Sequence, residues 1–120
     1  MRPDASFELD PRLELDTLFI CELALSRVLL MNDRRYPWLI LVPRVRGITE
    51  LTDLEDAVQA DLCRESLRVC AILKQEYPQR KLNTGILGNV VPQLHLHHVM
   101  REAGDPAWPG PVWGHAPAEP

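Results

Sequence analysis

Cysteine is scarce and poorly spaced for chemistry in this 120-residue chain: Cys21, Cys63 and Cys70 form no CxxC pair. An odd, scattered set excludes a disulfide framework and a zinc ribbon, so the three read as reduced thiols packed in a cytosolic protein. Positive charge is also in short supply. Thirteen Lys and Arg against seventeen Asp and Glu leave a formal net charge of -4. That balance excludes a nucleic-acid duplex as partner, because binding the phosphate backbone needs a basic stripe. A small anionic ligand needs only a few local donors and is compatible with it. No long apolar run exists either. The best stretch, 15–31, is broken by Asp16, Glu22, Ser26 and Arg27, so no membrane span is expected. The N-terminus carries Asp4, Glu8 and Asp10 and does not resemble a signal peptide, which points to the cytoplasm. No internal repeat or low-complexity core is visible.

What is present suits one folded domain spanning 1–120. Apolar residues make up 46% of the chain, too many for a disordered one. A chain this small would bury more of its surface as a dimer. Residues 1–12 read as a lead-in anchored by Phe7 and Leu9. The run 17–25 suits a strand or a short helix, and 26–31 is a better strand. A polar turn, 32–35, separates it from the β-prone 36–42, and together these predict a hairpin. Thr52-x-x-Glu55 resembles a capping box opening a long helix that Pro78 stops. Leu54, Val58, Leu62, Val69, Cys70, Leu73 and Tyr77 share its apolar face, with Asp61, Arg64, Glu65, Arg68 and Lys74 on the remainder. Further strands are expected over 81–87 and 91–101, interrupted by Gly85 and Gly88-Asn89. The tail, 104–120, carries five of the eleven prolines with Trp108 and Trp113, which excludes helix or central strand. Strands, a long helix and more strands predict an α+β fold with an antiparallel sheet.

Three of the four histidines lie in Gln93-Leu94-His95-Leu96-His97-His98-Val99. Side chains alternate along a strand, so Gln93, His95 and His97 are expected on one face, and Leu94, Leu96 and His98 on the other. Three readings compete for that face. The histidines are ordinary strand residues satisfied by neighbours; or His-x-His holds a metal, although no Cys or acidic residue stands at a supporting spacing for a third ligand; or they divide nucleophilic and acid–base roles. Gly88-Asn89 upstream, where glycine lets backbone N–H groups approach a ligand, and Asn83 on a neighbouring strand suit an anionic phosphate better than a metal.

The histidine segment resembles the last-strand pattern of the histidine triad family, His-φ-His-φ-His-φ-φ with φ apolar, and matches its second and third histidines. Leu39-Ile40-Leu41-Val42-Pro43-Arg44 is similar to the family's apolar strand ending in Pro-Lys/Arg. Asn83 with Gly88-Asn89 resembles the segment before the triad, so the likeness spans most of 26–101. A bacterial sub-group combines the Gln-Leu-His-Leu-His form with segments like those at 37–44 and 105–114 here.

The resemblance implies a HIT-like fold, a sheet of about five antiparallel strands with one long helix, in a homodimer. It implies a hydrolase or nucleotidyl transferase acting at the α-phosphorus of a nucleoside phosphate, phosphoramidate or dinucleoside polyphosphate. No cofactor and no metal are expected. By that analogy His95 is the nucleophile and His97 contacts the phosphate or leaving-group oxygen. Asn83, Gly88 and Asn89 hold phosphate oxygens. Asp33, or its neighbour Asn32, stands where members grip ribose hydroxyls. Gln93 replaces the first histidine, Val90 a serine near the phosphate, and Arg46 a histidine after the Pro-Lys segment. Gln93 can still donate and accept hydrogen bonds. The alternative reading is a nucleotide-binding regulatory protein with little turnover. Trp108 or Trp113 either anchors the tail or completes a partner's site.

Overall fold

A computed structural model describes residues 4–120; positions 1–3 of the lead-in lie outside the described residues. Asp10 caps a short helix α1 (Pro11–Asp16) by accepting from the Arg12 N–H, and Pro11 supplies the fixed φ that suits a first turn. The helix expected as an option at 17–25 therefore falls upstream, and Thr17–Glu22 is strand β1. Strands β2 (Ser26–Met31) and β3 (Trp38–Pro43) form the expected hairpin, with Val28 opposite Leu41 and Leu30 opposite Leu39.

The long helix α2 runs Asp56–Glu76 and ends before Pro78, as its spacing predicts. Its entrance differs from expectation. Thr52 sits inside a 3-10 turn, Leu51–Asp53, whose capping box pairs Glu50 with Asp53; the short Asp53 carboxylate reaches back to the Thr49 and Glu50 amides. Val58, Leu62, Val69 and Leu73 are buried at helical spacing. Glu65 shares that stripe rather than the solvated face. Its carboxylate accepts the Leu25 and Ser26 N–H groups at 2.9 Å each, capping the β1–β2 turn from inside. Cys21 and Cys63 are exposed rather than packed, while burial raises the pKa of the part-buried Cys70 thiol.

Strand β4 covers Lys81–Gly85, and β5 covers Leu96–Arg101. Both are shorter than expected because the intervening chain leaves the sheet. Gly88 adopts φ 77, and Pro92 has no N–H to offer a ladder. The five strands form one antiparallel sheet in the order β1-β2-β3-β5-β4. This is the α+β architecture expected.

Alternation divides the core. Leu94, Leu96 and Met100 pack with α2 on one face. On the other, Val99 packs with Trp38, Ile40, Val42, Leu13 and Val112, with Phe7, Leu9 and Trp113 against them. The lead-in and the tail thus cover the face that α2 leaves open. Edge strand β1 carries a register shift between Phe19 and Cys21, and exposes Leu18, Phe19 and Ile20. Among the described residues no helix is long and apolar enough to cross a membrane.

Candidate functional site

His95 and His97 lie on the face away from α2, and both are buried. Their rings meet edge-on, centroids 4.9 Å apart. Each ring has a partner of opposite polarity. His95 Nδ1 lies 2.7 Å from the Gln93 backbone carbonyl, which can only accept, so Nδ1 carries the proton and Nε2 keeps a lone pair. His97 Nδ1 instead accepts from Trp38 Nε1–H at 3.0 Å. His98, as alternation predicts, points to the helix side, 2.7 Å from the Ser66 hydroxyl.

Beside the two imidazoles opens a cavity of about 430 Å³, lined also by Trp38, Gly88, Asn89, Asp33 and Trp113. The loop carrying Gly88 and Asn89 is braced by Arg12, whose Nη1 donates to the Val90 carbonyl at 2.7 Å. Much of the wall is apolar, from Met31, Val91, Val112, Ala116 and Ala118. The tail supplies part of it within the same chain. Trp113 lies 5.4 Å from the His97 ring, centroid to centroid, and covers Gly85 so closely that a Cβ there would meet it at 2.9 Å. The far end of the tail is tied to the hairpin turn. Arg35 donates to the Pro117 carbonyl, and Arg34 and Arg35 both pair with Glu119.

Three residues expected at the site are held elsewhere or committed. Gln93 does not line the cavity. Its amide clasps the lead-in, accepting from the Asp10 N–H and donating to the Glu8 carbonyl, both at 2.8 Å. Asn83 shares the histidine face but stands opposite Val99, and its Oδ1 accepts from Arg101 at 3.0 Å. Asp33 does reach the cavity's hairpin end, yet its carboxylate is buried against Arg35. Oδ1 accepts from the Arg35 N–H and Nε, and Oδ2 from Nη2. Burial alone would raise its pKa, but these bonds and the guanidinium charge hold it below the usual carboxylate range. Trp38 escaped notice in the sequence. Its alternation with Ile40 and Val42 puts it on one face of β3, but only the pairing of Ile40 with His97 makes that the histidine face. Among the described residues no cluster of three His, Cys, Asp or Glu is placed to hold a metal ion.

Burial lowers the pKa of His97 to about 3, helped by the neighbouring His95 and His98, and burial also lowers that of His98. His97 therefore stays neutral in the folded protein across the weakly acidic range but takes up a proton near pH 6.5 when unfolded, and the shift at His98 has the same sign. The unfolded state then binds more protons, so stability falls as pH drops below about 6.5. Between pH 7 and 5 His97 alone is expected to cost roughly 2 kcal/mol, read from urea unfolding at the two pH values. A His97→Phe variant should show a shallower slope. An unchanged slope would show that the ring is not held neutral.

Comparison with known proteins shows the family to which this fold belongs. The HIT domain family model matches residues 12–104. A histidine triad protein from Sinorhizobium meliloti 1021 is 51% identical, with TM-score 0.93, over 96% of this chain and 85% of its own. One from Marinobacter aquaeolei VT8 is 50% identical, with TM-score 0.92, over 95% and 83%. Another from Bradyrhizobium japonicum is 47% identical, with TM-score 0.91, over 94% and 84%. None of the curated proteins compared matches the chain. With its fold, its paired imidazoles and these likenesses in agreement, the chain belongs to the histidine triad family.

Proposed function

We propose that this protein is a cytoplasmic hydrolase or nucleotidyl transferase that cleaves a nucleoside phosphate, phosphoramidate or dinucleoside polyphosphate at the α-phosphorus. The observation that carries the reading is the 2.7 Å contact between His95 Nδ1 and a carbonyl, which frees the Nε2 lone pair beside a cavity of nucleotide size. Nε2 attacks phosphorus, the bond to the leaving group breaks, and the departing amine or phosphate takes a proton from solvent. His95 keeps its Nδ1 proton against the Gln93 carbonyl, so the nucleotidyl-imidazolium is cationic and reactive. Water then attacks phosphorus, loses a proton to solvent and returns neutral His95. His97 contacts a phosphoryl oxygen, and Gly88 and Asn89 at the cavity mouth hold others. Every bond change uses only His95, water and substrate, so no cofactor or metal is invoked.

Incubation with adenosine phosphoramidate or a diadenosine polyphosphate is expected to release AMP. Rapid quenching in alkaline denaturant, which preserves the acid-labile P–N bond, should leave an adenylyl group on His95, found by peptide mass spectrometry at neutral or alkaline pH. Absence of both would defeat the proposal. The regulatory alternative draws on Gln93, whose amide is engaged by the lead-in and so gives the reaction no orienting partner. Stabilisation by AMP with no turnover would favour it.

The geometry at Asp33 favours weak reading of the ribose. A carboxylate gripping the diol would lose roughly 10- to 100-fold in affinity without one hydroxyl. With both oxygens already engaged by Arg35, AMP and 2′-deoxy-AMP are expected to bind within about three-fold of each other by calorimetry. A preference beyond tenfold for AMP would restore Asp33 to the ribose. We also propose a homodimer, since both sheet edges, β1 and β4, are open in the isolated chain. Light scattering should give twice the chain mass.

A further inference from the structure

Two imidazoles stand side by side at the cavity, and their fixed partners differ in polarity. A carbonyl can only accept, and an indole N–H can only donate. The Gln93 carbonyl therefore sets His95 as the Nδ1–H tautomer, and Trp38 leaves Nδ1 of His97 without a proton. Trp38 is itself well fixed. It begins β3, is buried, and meets the edge of Tyr36 at 6.3 Å, while Trp113 closes on His97 at 5.4 Å. No rotation of the His97 ring is available that would keep the 3.0 Å bond and present another nitrogen.

We infer that Trp38 is a positioning residue that locks His97 as an Nε2–H donor, setting an N–H beside the bare Nε2 of the nucleophile. The inference rests on the proposed reaction at His95. It assigns the His97 half of the division of labour to a tryptophan on a different strand, while Gln93 acts on His95 through its backbone carbonyl and its side-chain amide holds the lead-in. His97 is then a neutral hydrogen-bond donor that meets charge developing on a phosphoryl oxygen, with its proton retained throughout. Its low basicity in this buried setting matches that role, because a ring that stays neutral cannot add a second positive charge next to the nucleotidyl-imidazolium.

The test is the protonation of the His97 ring in ligand-free protein, read by long-range ¹H–¹⁵N correlation at pH 7. The wild type is expected to show a bare Nδ1 and a protonated Nε2. Trp38→Phe, or benzothienylalanine placed at position 38 alone to keep the shape without the N–H, should give mixed tautomers. For the same variants kcat should fall about 10- to 100-fold, with KM moving less than about three-fold. A protonated Nδ1 in the wild type overturns the inference. So does an unchanged tautomer or an unchanged kcat in the folded variants. Failure of the wild type to turn over any nucleotide defeats the proposed function instead, and the nitrogen spectra still decide what Trp38 does.

Discussion

His95→Ala is expected to lower AMP release on the order of 10⁴-fold or more, because removing a nucleophile removes the covalent route altogether. His97→Ala should cost less, about 10²- to 10³-fold, since it deletes one donor to the developing charge and leaves the attacking nitrogen in place. The order of the two losses separates attack from stabilisation. Adding free imidazole to a His95→Gly variant should restore part of the rate, because the small ring can occupy the space left beside Gly88 and Asn89. Steady-state assays with adenosine phosphoramidate measure all three. Equal modest losses at both positions would mean that neither ring attacks phosphorus, and the assignment of His95 as nucleophile would fall.

The largest effect on stability is expected at Asp105. Arg101, 1% exposed, donates from Nε and Nη2 to the two carboxylate oxygens of Asp105, at 2.7 and 2.9 Å. It also donates to Asn83 and lies between the rings of Tyr36 and Trp108, each 5.7 Å from its guanidinium carbon. Asp105→Ala leaves that cation buried without its counter-charge, which typically costs about 3–5 kcal/mol. The same substitution removes the acceptor for the Ala107 and Trp108 N–H groups, so the first turn of the tail should loosen as well. Urea unfolding measures the loss. A double variant, Arg101→Met with Asp105→Leu, should recover much of it, because a matched apolar pair carries no desolvation cost. A loss below about 1 kcal/mol in Asp105→Ala would show the pair to be solvated.

Features that depend on local periodicity were legible in the chain. The β2–β3 hairpin, the α2 stripe from Val58 to Leu73 and the alternation that separates His95 and His97 from His98 all follow from neighbours within a few residues. What stayed hidden depends on distant pairing. Glu65 reads as a solvated charge until the β1–β2 turn presents two unpaired amides to it across 40 positions. Gln93 reads as a member of the histidine row until the lead-in, 83 positions upstream, takes its amide. Asp33 looks free to bind a sugar until Arg35, two residues on, curls back onto it. For Glu65 and Gln93 the claiming backbone lies outside any short window, whereas for Asp33 the partner is near in the chain and only the curl of the Arg35 side chain back onto it was hidden. Distant pairing likewise hid Trp38 and Trp113, which are ordinary apolar residues by pattern and become cavity walls through strand order and the folding back of the tail.

The clasp between Glu119 and the hairpin arginines makes the outer boundary of the cavity the part most sensitive to buffer. Arg34 and Glu119 are largely hydrated, with side chains 71% and 47% accessible, and such pairs contribute only about 0–1 kcal/mol. Dissolved ions attenuate them over about 8 Å at physiological strength and over shorter distances in concentrated salt. Raising sodium chloride should therefore loosen the Arg34–Glu119 pair while the Arg35 bond to the Pro117 carbonyl and Trp113, wedged over Gly85, hold, so the rim of the same cavity would be tighter or slacker according to the solution the protein is dissolved in.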